Sequence, residues 1–417
     1  MLMLHSCHMP TPRSTKKTPV VKKRAAKKPR TLSKRAAPSP KKTVADRARD
    51  LHKRHMGKLE VRAKVPLTPA TLGLLYTPGV GAVSTDVASV PTRANEYTLK
   101  GRTIAVVSDG SAVLGLGDIG PLGALPVMEG KAVLFKELAG IDAMPIVLET
   151  EDPDEIIRTV KAIAPTFGGI NLEDIAAPKC FHIEERLREE LSIPVMHDDQ
   201  HGTAIAVLAG LINAHAVVGK DLHSSRIAVL GAGAAGMAVT RLLLRYGVGD
   251  ILLVDSTGII GPLRTNLTPE KEALVSLTNK EQRHGGVLEA MTGADAVIGV
   301  SRAGAITRDH VRMMAQRSIV FALANPEPEI LPADAHGAGA AVVATGRSDF
   351  PNQVNNALVF PGVFKGALEN GVTRITTAMH LAAAEALAGL VARPKADKIL
   401  PTLFDRRVVK AVSCAIK

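Results

Sequence analysis

Only three cysteines occur, Cys7, Cys180 and Cys414, and their wide spacing gives neither a CxxC pair nor a disulfide framework. This fits a reducing compartment, so the expectation is a cytoplasmic protein. No run of about 20 uninterrupted apolar residues is present to cross a membrane. The nearest candidate, residues 202–219, contains Asn213 and His215 and reads as a buried helix. There is no short-period repeat, which excludes a solenoid. Acidic residues are missing altogether from residues 1–45, which hold 13 Lys or Arg.

That last absence locates the formal net charge of +12, because removing the segment leaves 39 basic against 40 acidic residues. Arguments about charged partners therefore belong to the tail. Its like charges and repeated prolines predict disorder over residues 1–45. Weak, nonspecific attachment to an anionic partner such as nucleic acid is one reading of it. A targeting segment, a solvated extension and a start assigned too far upstream are the others.

The rest of the 417 residues, with 46% hydrophobic content overall, has enough apolar side chains for two cores. After a charged helical stretch from Asp46 to Glu60 and a Pro- and Gly-rich segment from Leu67 to Gly81, apolar strands alternate with helical runs. The strands are TIAVVSDG, AMPIVLET, GGINLEDI and IPVMHDD. A second series follows with RIAVLGAGAAG, ILLVD, DAVIGV, IVFALANP and AAVVATG. Alternation of this kind predicts parallel βαβ units. The expected organisation is a tail (1–45), an α/β domain (46–203) and a Rossmann-type doubly wound parallel sheet (204–417).

Gly231, Gly233 and Gly236 spell GxGxxG between a strand and a helix, with Ala234 and Ala235 inside the motif and Asp255 closing the next strand. Such glycines let a backbone approach a pyrophosphate at a helix N-terminus, and the acid can bind a ribose diol. Gly115, Gly117 and Gly120 spell the same pattern. Here Pro121, Gly123 and Pro126 are expected to interrupt the crossover helix, so this loop reads as a turn lining a ligand cleft.

Glu173 and Asp174 end one strand, and Asp198 and Asp199 end another, so four carboxylates can meet at one sheet edge. A cluster of that kind repels itself without a cation. Hard oxygen donors suit Mg²⁺ or Mn²⁺. His197 and His201, four apart, have zinc-ligand spacing only if both lie on a helix, and a strand end at His197 argues against it.

Taken together, YTPGV (Tyr76 to Val80), SDGSAVLGLGDIG (Ser108 to Gly120), VMEGK, NLEDI, HDDQHGTA, GAGAAG, ALANPEPEI and NNALVFPG (Asn355 to Gly362) resemble the malic enzyme family. The resemblance runs from about Leu51 to the FDRRV near the C-terminus and is closest to the compact prokaryotic form, without an appended acyltransferase-like domain after Lys417. It implies an N-terminal malic-enzyme domain and a C-terminal dinucleotide domain. The implied reaction is metal-dependent oxidative decarboxylation of (S)-malate to pyruvate and carbon dioxide with NAD or NADP. In this reading Lys131, its pKa lowered by desolvation and the nearby cation, is the general base and Tyr76 the general acid. Glu173, Asp174 and Asp199 ligate the metal, and Asp198 partners Lys131. Asn325 and Asn356 contact substrate or nicotinamide, and the assembly is a homodimer.

Two departures stand out. Ala112 occupies the position where eukaryotic relatives place a substrate-binding arginine, and Asp255 is followed by Ser256, Thr257 and Gly258 rather than by a lysine. The second favours NAD, with Arg264 as the cation that could still reach a 2′-phosphate. The alternatives are another two-domain dehydrogenase of the amino-acid or methylene-folate type, and a nucleic-acid-binding protein that keeps an inactive enzyme fold.

Overall fold

Two separate sheets organise the chain. In the computed structural model, which describes residues 42–417, the first holds β1 (Thr103–Ser108), β2 (Asp142–Val147), β3 (Gly169–Leu172) and β4 (Val195–His197), all parallel, in the order β2-β1-β3-β4. The second holds β5 (Arg226–Leu230), β6 (Asp250–Asp255), β7 (Gly258–Ile259), β8 (Ala296–Gly299), β9 (Ile319–Ala322) and β10 (Val342–Thr345) in the order β10-β9-β8-β5-β6-β7. All of its pairs are parallel except β6 with the two-residue edge strand β7. The order reverses at β5, which makes the carboxyl end of β5 the switch point where such sheets bind ligands.

The two series of predicted strands thus form two α/β layers, and from His52 to Lys417 they belong to one compact unit. The Asp198–Val218 helix joins them. Its residues from Ala204 to Leu211 are buried without interruption, as is Ala214, which is why a 21-residue apolar helix here is a core element. One apolar cluster continues from Ile104 and Val106 of the first sheet through this helix to Val229 and Phe321 of the second. The division expected at residue 203 falls inside the helix.

Three expectations need correction. The Gly120–Leu134 segment is a continuous helix despite its prolines. Pro121 sits in the first turn, where its missing N–H leaves no bond unmade, and burial of Ala124, Met128 and Ala132 outweighs the single bond lost at Pro126. The strand IPVMHDD ends at His197, so Asp198, Asp199 and His201 lie in the first turns of a helix. The basic segment expected to be disordered lies outside the described residues as far as position 41, but Val44 and Ala45 already belong to a helix, Val44–His55.

Among the described loops, Val113–Gly117 closes tightly, with the Val113 amide donating to the Gly117 carbonyl at 2.9 Å. A β-carbon on Gly115 would lie 1.6 Å from the Asn325 carbonyl oxygen. The loop therefore fits the second half of the chain only with glycine at that position. Gly115→Ala should lower unfolding stability by about 1–3 kcal/mol through this overlap. Gly389→Ala, helical and with open space around it, should be neutral or stabilising. Denaturant melts of both variants check the difference, and equal effects would contradict the packing argument.

Candidate active site

Parallel pairing of β3 with β4 sets Leu172 opposite His197, so the residues that follow them leave the same sheet edge. Glu173 and Asp174 directly follow β3, and Asp198 and Asp199 open the helix that follows β4. Carboxylate oxygens of Glu173, Asp174 and Asp199 all lie within 4.8 Å of one another, close enough that the three could hold a metal ion. Asp174 takes a left-handed backbone conformation (φ 53°) that lets its amide donate to Asp199 Oδ2 at 2.7 Å. The Gly-rich loop joins from the first sheet, its Leu114 amide donating to Asp174 Oδ1 at 3.3 Å.

Lys131, on the Gly120–Leu134 helix, points into this group. Its Nζ lies 2.9 Å from Glu173 Oε1, donates to Asp198 Oδ2 and stands 4.4 Å from the centre of the Phe360 ring. Asn171 Nδ2 donates to the other Glu173 oxygen at 3.1 Å. Neither Phe360 nor Asn171 is singled out by the sequence reading. Both follow from it in retrospect, because they stand inside NNALVFPG and NLEDI. Asn356 is brought here too: its β-carbon and Asp198 Oδ1 both crowd Gly202 on the first turns of the Asp198–Val218 helix.

The electrostatics are those of too many acids for one base. Burial raises the Glu173 carboxyl well above its usual range, and Asp199 adds to the shift. Asp174 is pushed up to about 8, first by burial and then by Asp199. Burial likewise raises Asp198. For Lys131 burial acts downward, but Asp198, Glu173 and Asp199 outweigh it and hold the ammonium above its ordinary pKa. These carboxylates keep the proton on Nζ, and the expected lowering, which includes a nearby cation, concerns the metal-bound site.

Not every expected residue joins this site. Tyr76 ends the Pro69–Leu75 helix with 68% of its surface exposed, and among the described residues no hydrogen bond or ion pair connects its phenol to Lys131 or the acids. His197 and His201 are absent from the three-carboxylate cluster. His201 instead contacts Glu184, which also accepts from the His197 amide and from Gln200 Nε2. Burial would raise Glu184, yet His201 and His197 bring it down to about 2. Glu184, on the Lys179–Glu190 helix, is not singled out by the sequence reading, which misses this buried brace.

The dinucleotide fingerprint separates into three roles. Gly231 has φ 109°, and a β-carbon on it would lie 2.4 Å from the Val300 carbonyl oxygen. One on Gly236 would lie 1.7 Å from the Gly231 carbonyl oxygen. Gly233, preceding Ala234 and Ala235 at the helix N-terminus, has nothing within 4 Å, leaving that space for a ligand. Asn325 follows β9 and lies beside Gly346 and the Gly115 loop. Glu329, also missed, braces the loops after β8 and β9 by accepting from the Ser301 and Ala324 amides at 2.7 and 3.0 Å.

Asp255 is not a lone acid. Arg264 pairs with both of its oxygens at 3.0 and 3.1 Å, and Lys271 reaches it at 2.9 Å. Burial acts upward on this carboxyl, but these two cations hold it far below the usual range. Arg264 stands where the sequence reading allowed. Lys271, 16 residues beyond Asp255, is recognisable only once the Pro269–Val275 helix has folded back.

Two family models match in tandem, "Malic enzyme, N-terminal domain" over residues 56–188 and "Malic enzyme, NAD binding domain" over residues 200–417. A bifunctional malic/malolactic enzyme of Bacillus subtilis is 52% identical over 378 residues, covering 90% of this chain and 92% of that protein. An NAD-dependent malic enzyme of Geobacillus stearothermophilus is also 52% identical, covering 86% of this chain and 76% of the relative. Among solved structures, an NAD-dependent malic enzyme from Thermotoga maritima shares the fold with a TM-score of 0.86 and 47% identity, over 89% of this chain and 98% of the other. Agreement in sequence, length and fold leads to one conclusion: the chain belongs to the malic enzyme family.

Proposed function

We propose that this protein oxidises (S)-malate with NAD or NADP and releases pyruvate and carbon dioxide in a reaction that requires Mg²⁺ or Mn²⁺. The observation that carries the reading is Lys131, buried between Glu173 and Asp198 at the edge of the three-carboxylate cluster. The donor set suits a hard cation, since every ligand atom is a carboxylate oxygen and Asp174 Oδ2 is buried with no partner. Residues 46–203 would hold substrate and metal, and residues 204–417 the dinucleotide. Free thiols at Cys180 and Cys414 suit a reducing cytoplasm.

When bound, the cation supplies Lewis-acid polarisation of substrate oxygens. The chain's own residues handle protons and position. Lys131 takes the hydroxyl proton as hydride leaves for the nicotinamide, which requires that the charge of Asp198 and Glu173 be offset so that Nζ can give up the proton it otherwise holds. Asn325 and Asn356 orient substrate and nicotinamide with side-chain amides. Tyr76 returns a proton to C3. A homodimer would cover the segment carrying Tyr76, where Leu72, Leu74 and Leu75 are also exposed and neither the Pro69–Leu75 nor the Val80–Ser89 helix buries a residue.

On the adenosine side, Asp255 favours NAD by accepting hydrogen bonds from ribose hydroxyls. Arg264 and Lys271 offset its charge and supply cations that a 2′-phosphate would meet, so NADP serves as a second cofactor.

The reaction is tested by following cofactor reduction and carbon dioxide release with (S)-malate. EDTA should abolish both and Mn²⁺ restore them, while Lys131→Ala should lose about two to four decades in kcat. Full activity without metal, or near-normal turnover in the variant, would refute the assignment. For the cofactor, Arg264→Ala should depress kcat/KM with NADP by about tenfold or more while NAD is affected much less. Equal losses with the two cofactors would show that Arg264 serves only to hold the loop.

A further inference from the structure

Beside the Asp198–Val218 helix, on residues the proposed reaction does not use, lies a cleft of about 660 Å³. Its chemistry is two-sided. Leu242 and Leu274 line it from the core, and Leu277, 54% exposed, lines it as well. Arg188, Arg241 and Arg245 also line it, and among the described residues no acidic side chain does. The acids Glu184, Glu185 and Glu270 belong to an adjoining lobe that shares Arg188, Gln200, His201 and Arg241, and Glu184 is already engaged by His201 and Gln200.

The cationic side is short of partners. Among the described residues no hydrogen bond or ion pair engages Arg241 or Arg245, and the Arg241 guanidinium rests over the Phe181 ring at 5.5 Å. The Nε atom of Arg188 is buried without a partner. His380, only 5% exposed, lies with its ring centre 4.7 Å from that of His201 at a tilt of 33°, and its Nε2 atom also has no partner. The buried Arg188 Nε and His380 Nε2 atoms are costly without a partner, exposed Arg241 and Arg245 add positive charge beside them, and exposed Leu277 adds an apolar wall, so an anion with an apolar body complements the cleft.

We propose that this cleft is an effector site for a carboxylate carried on an apolar body. Its occupancy reaches the active site through one helix. Gln200 and His201 line the cleft, and Asp198 and Asp199 precede them on the first turn of the same helix. A ligand that shifts this turn moves the partner of Lys131 and one member of the carboxylate cluster together.

Octanoate is a suitable probe, titrated calorimetrically into the full-length protein. One equivalent should bind, whereas octanol and acetate, each lacking one half of the chemistry, should bind at least about tenfold more weakly. The double variant Arg241→Ala/Arg245→Ala should lose about tenfold in octanoate affinity, and so should Leu277→Glu, which places a like charge in the same lobe. Both variants change exposed side chains, and unaltered thermal melts would show that they fold. Octanol binding as tightly as octanoate, or octanoate binding unchanged by the substitutions, would overturn the site. Coupling rests on the malate-oxidising activity proposed above: octanoate should shift the malate KM about fivefold in the unmodified protein and leave it unchanged in Leu277→Glu. Calorimetric binding with no KM shift would overturn the effector role, and absence of malate turnover would be visible separately from either.

Discussion

Four carboxylates face one ammonium at the edge of β3 and β4, and the rest of the active site is arranged around that imbalance. Glu173, Asp174 and Asp198 are buried, so water cannot relieve their mutual repulsion, and each is pushed toward its protonated form. Lys131 offsets a single charge. Backbone geometry maintains the arrangement: the left-handed turn at Asp174 directs its amide to Asp199, and the Leu114 amide fixes Asp174 from the Gly-rich loop. A buried cluster of this kind is stable only with added protons or an added cation, and the two alternatives differ in how they depend on pH.

The long Asp198–Val218 helix ties this edge to everything else. Its first residue partners Lys131 and its second contributes to the carboxylate cluster, while its middle is the centre of the shared apolar core. Close backbone approaches complete the connection, with Gly115 against Asn325 and Gly202 against Asp198 and Asn356. Side chains of both sheets are thereby brought to one place by residues that have almost no side chain themselves. The same helix carries Gln200 and His201 to the arginine-lined cleft.

Much of this was legible in the sequence because its cause is local. Alternating apolar strands announce the two sheets, and acids directly after β3 and β4 must share an edge once those strands pair in parallel. The first glycine pattern was readable as a turn, but the helix following it was not, because Pro121 and Pro126 suggest a break that burial of Ala124, Met128 and Ala132 overrides. Lys271 at Asp255, Phe360 at Lys131 and Glu184 beneath His201 were illegible for a different reason. Each meets its partner across 16 or more residues of chain, through tertiary packing that leaves no periodic mark. The upward pull on the Lys131 ammonium was not legible because it depends on the number of carboxylates within reach, a quantity fixed only by the fold.

The central claim is that the carboxylate cluster is built for a divalent cation, and thermal stability against pH tests it most directly. Asp174 has its pKa raised from 3.8 to about 8, so the stability it contributes is present below the unfolded value and is lost as pH rises through the folded one. Metal-free protein should therefore lose melting temperature between about pH 5.5 and about pH 8, and Asp174→Asn, which keeps the shape without the charge, should lose less. Mn²⁺ should restore the melting temperature at the upper pH far more than at the lower, and do so only weakly in the variant. A Mn²⁺ effect equal at both pH values, or one fully retained by Asp174→Asn, would contradict the account.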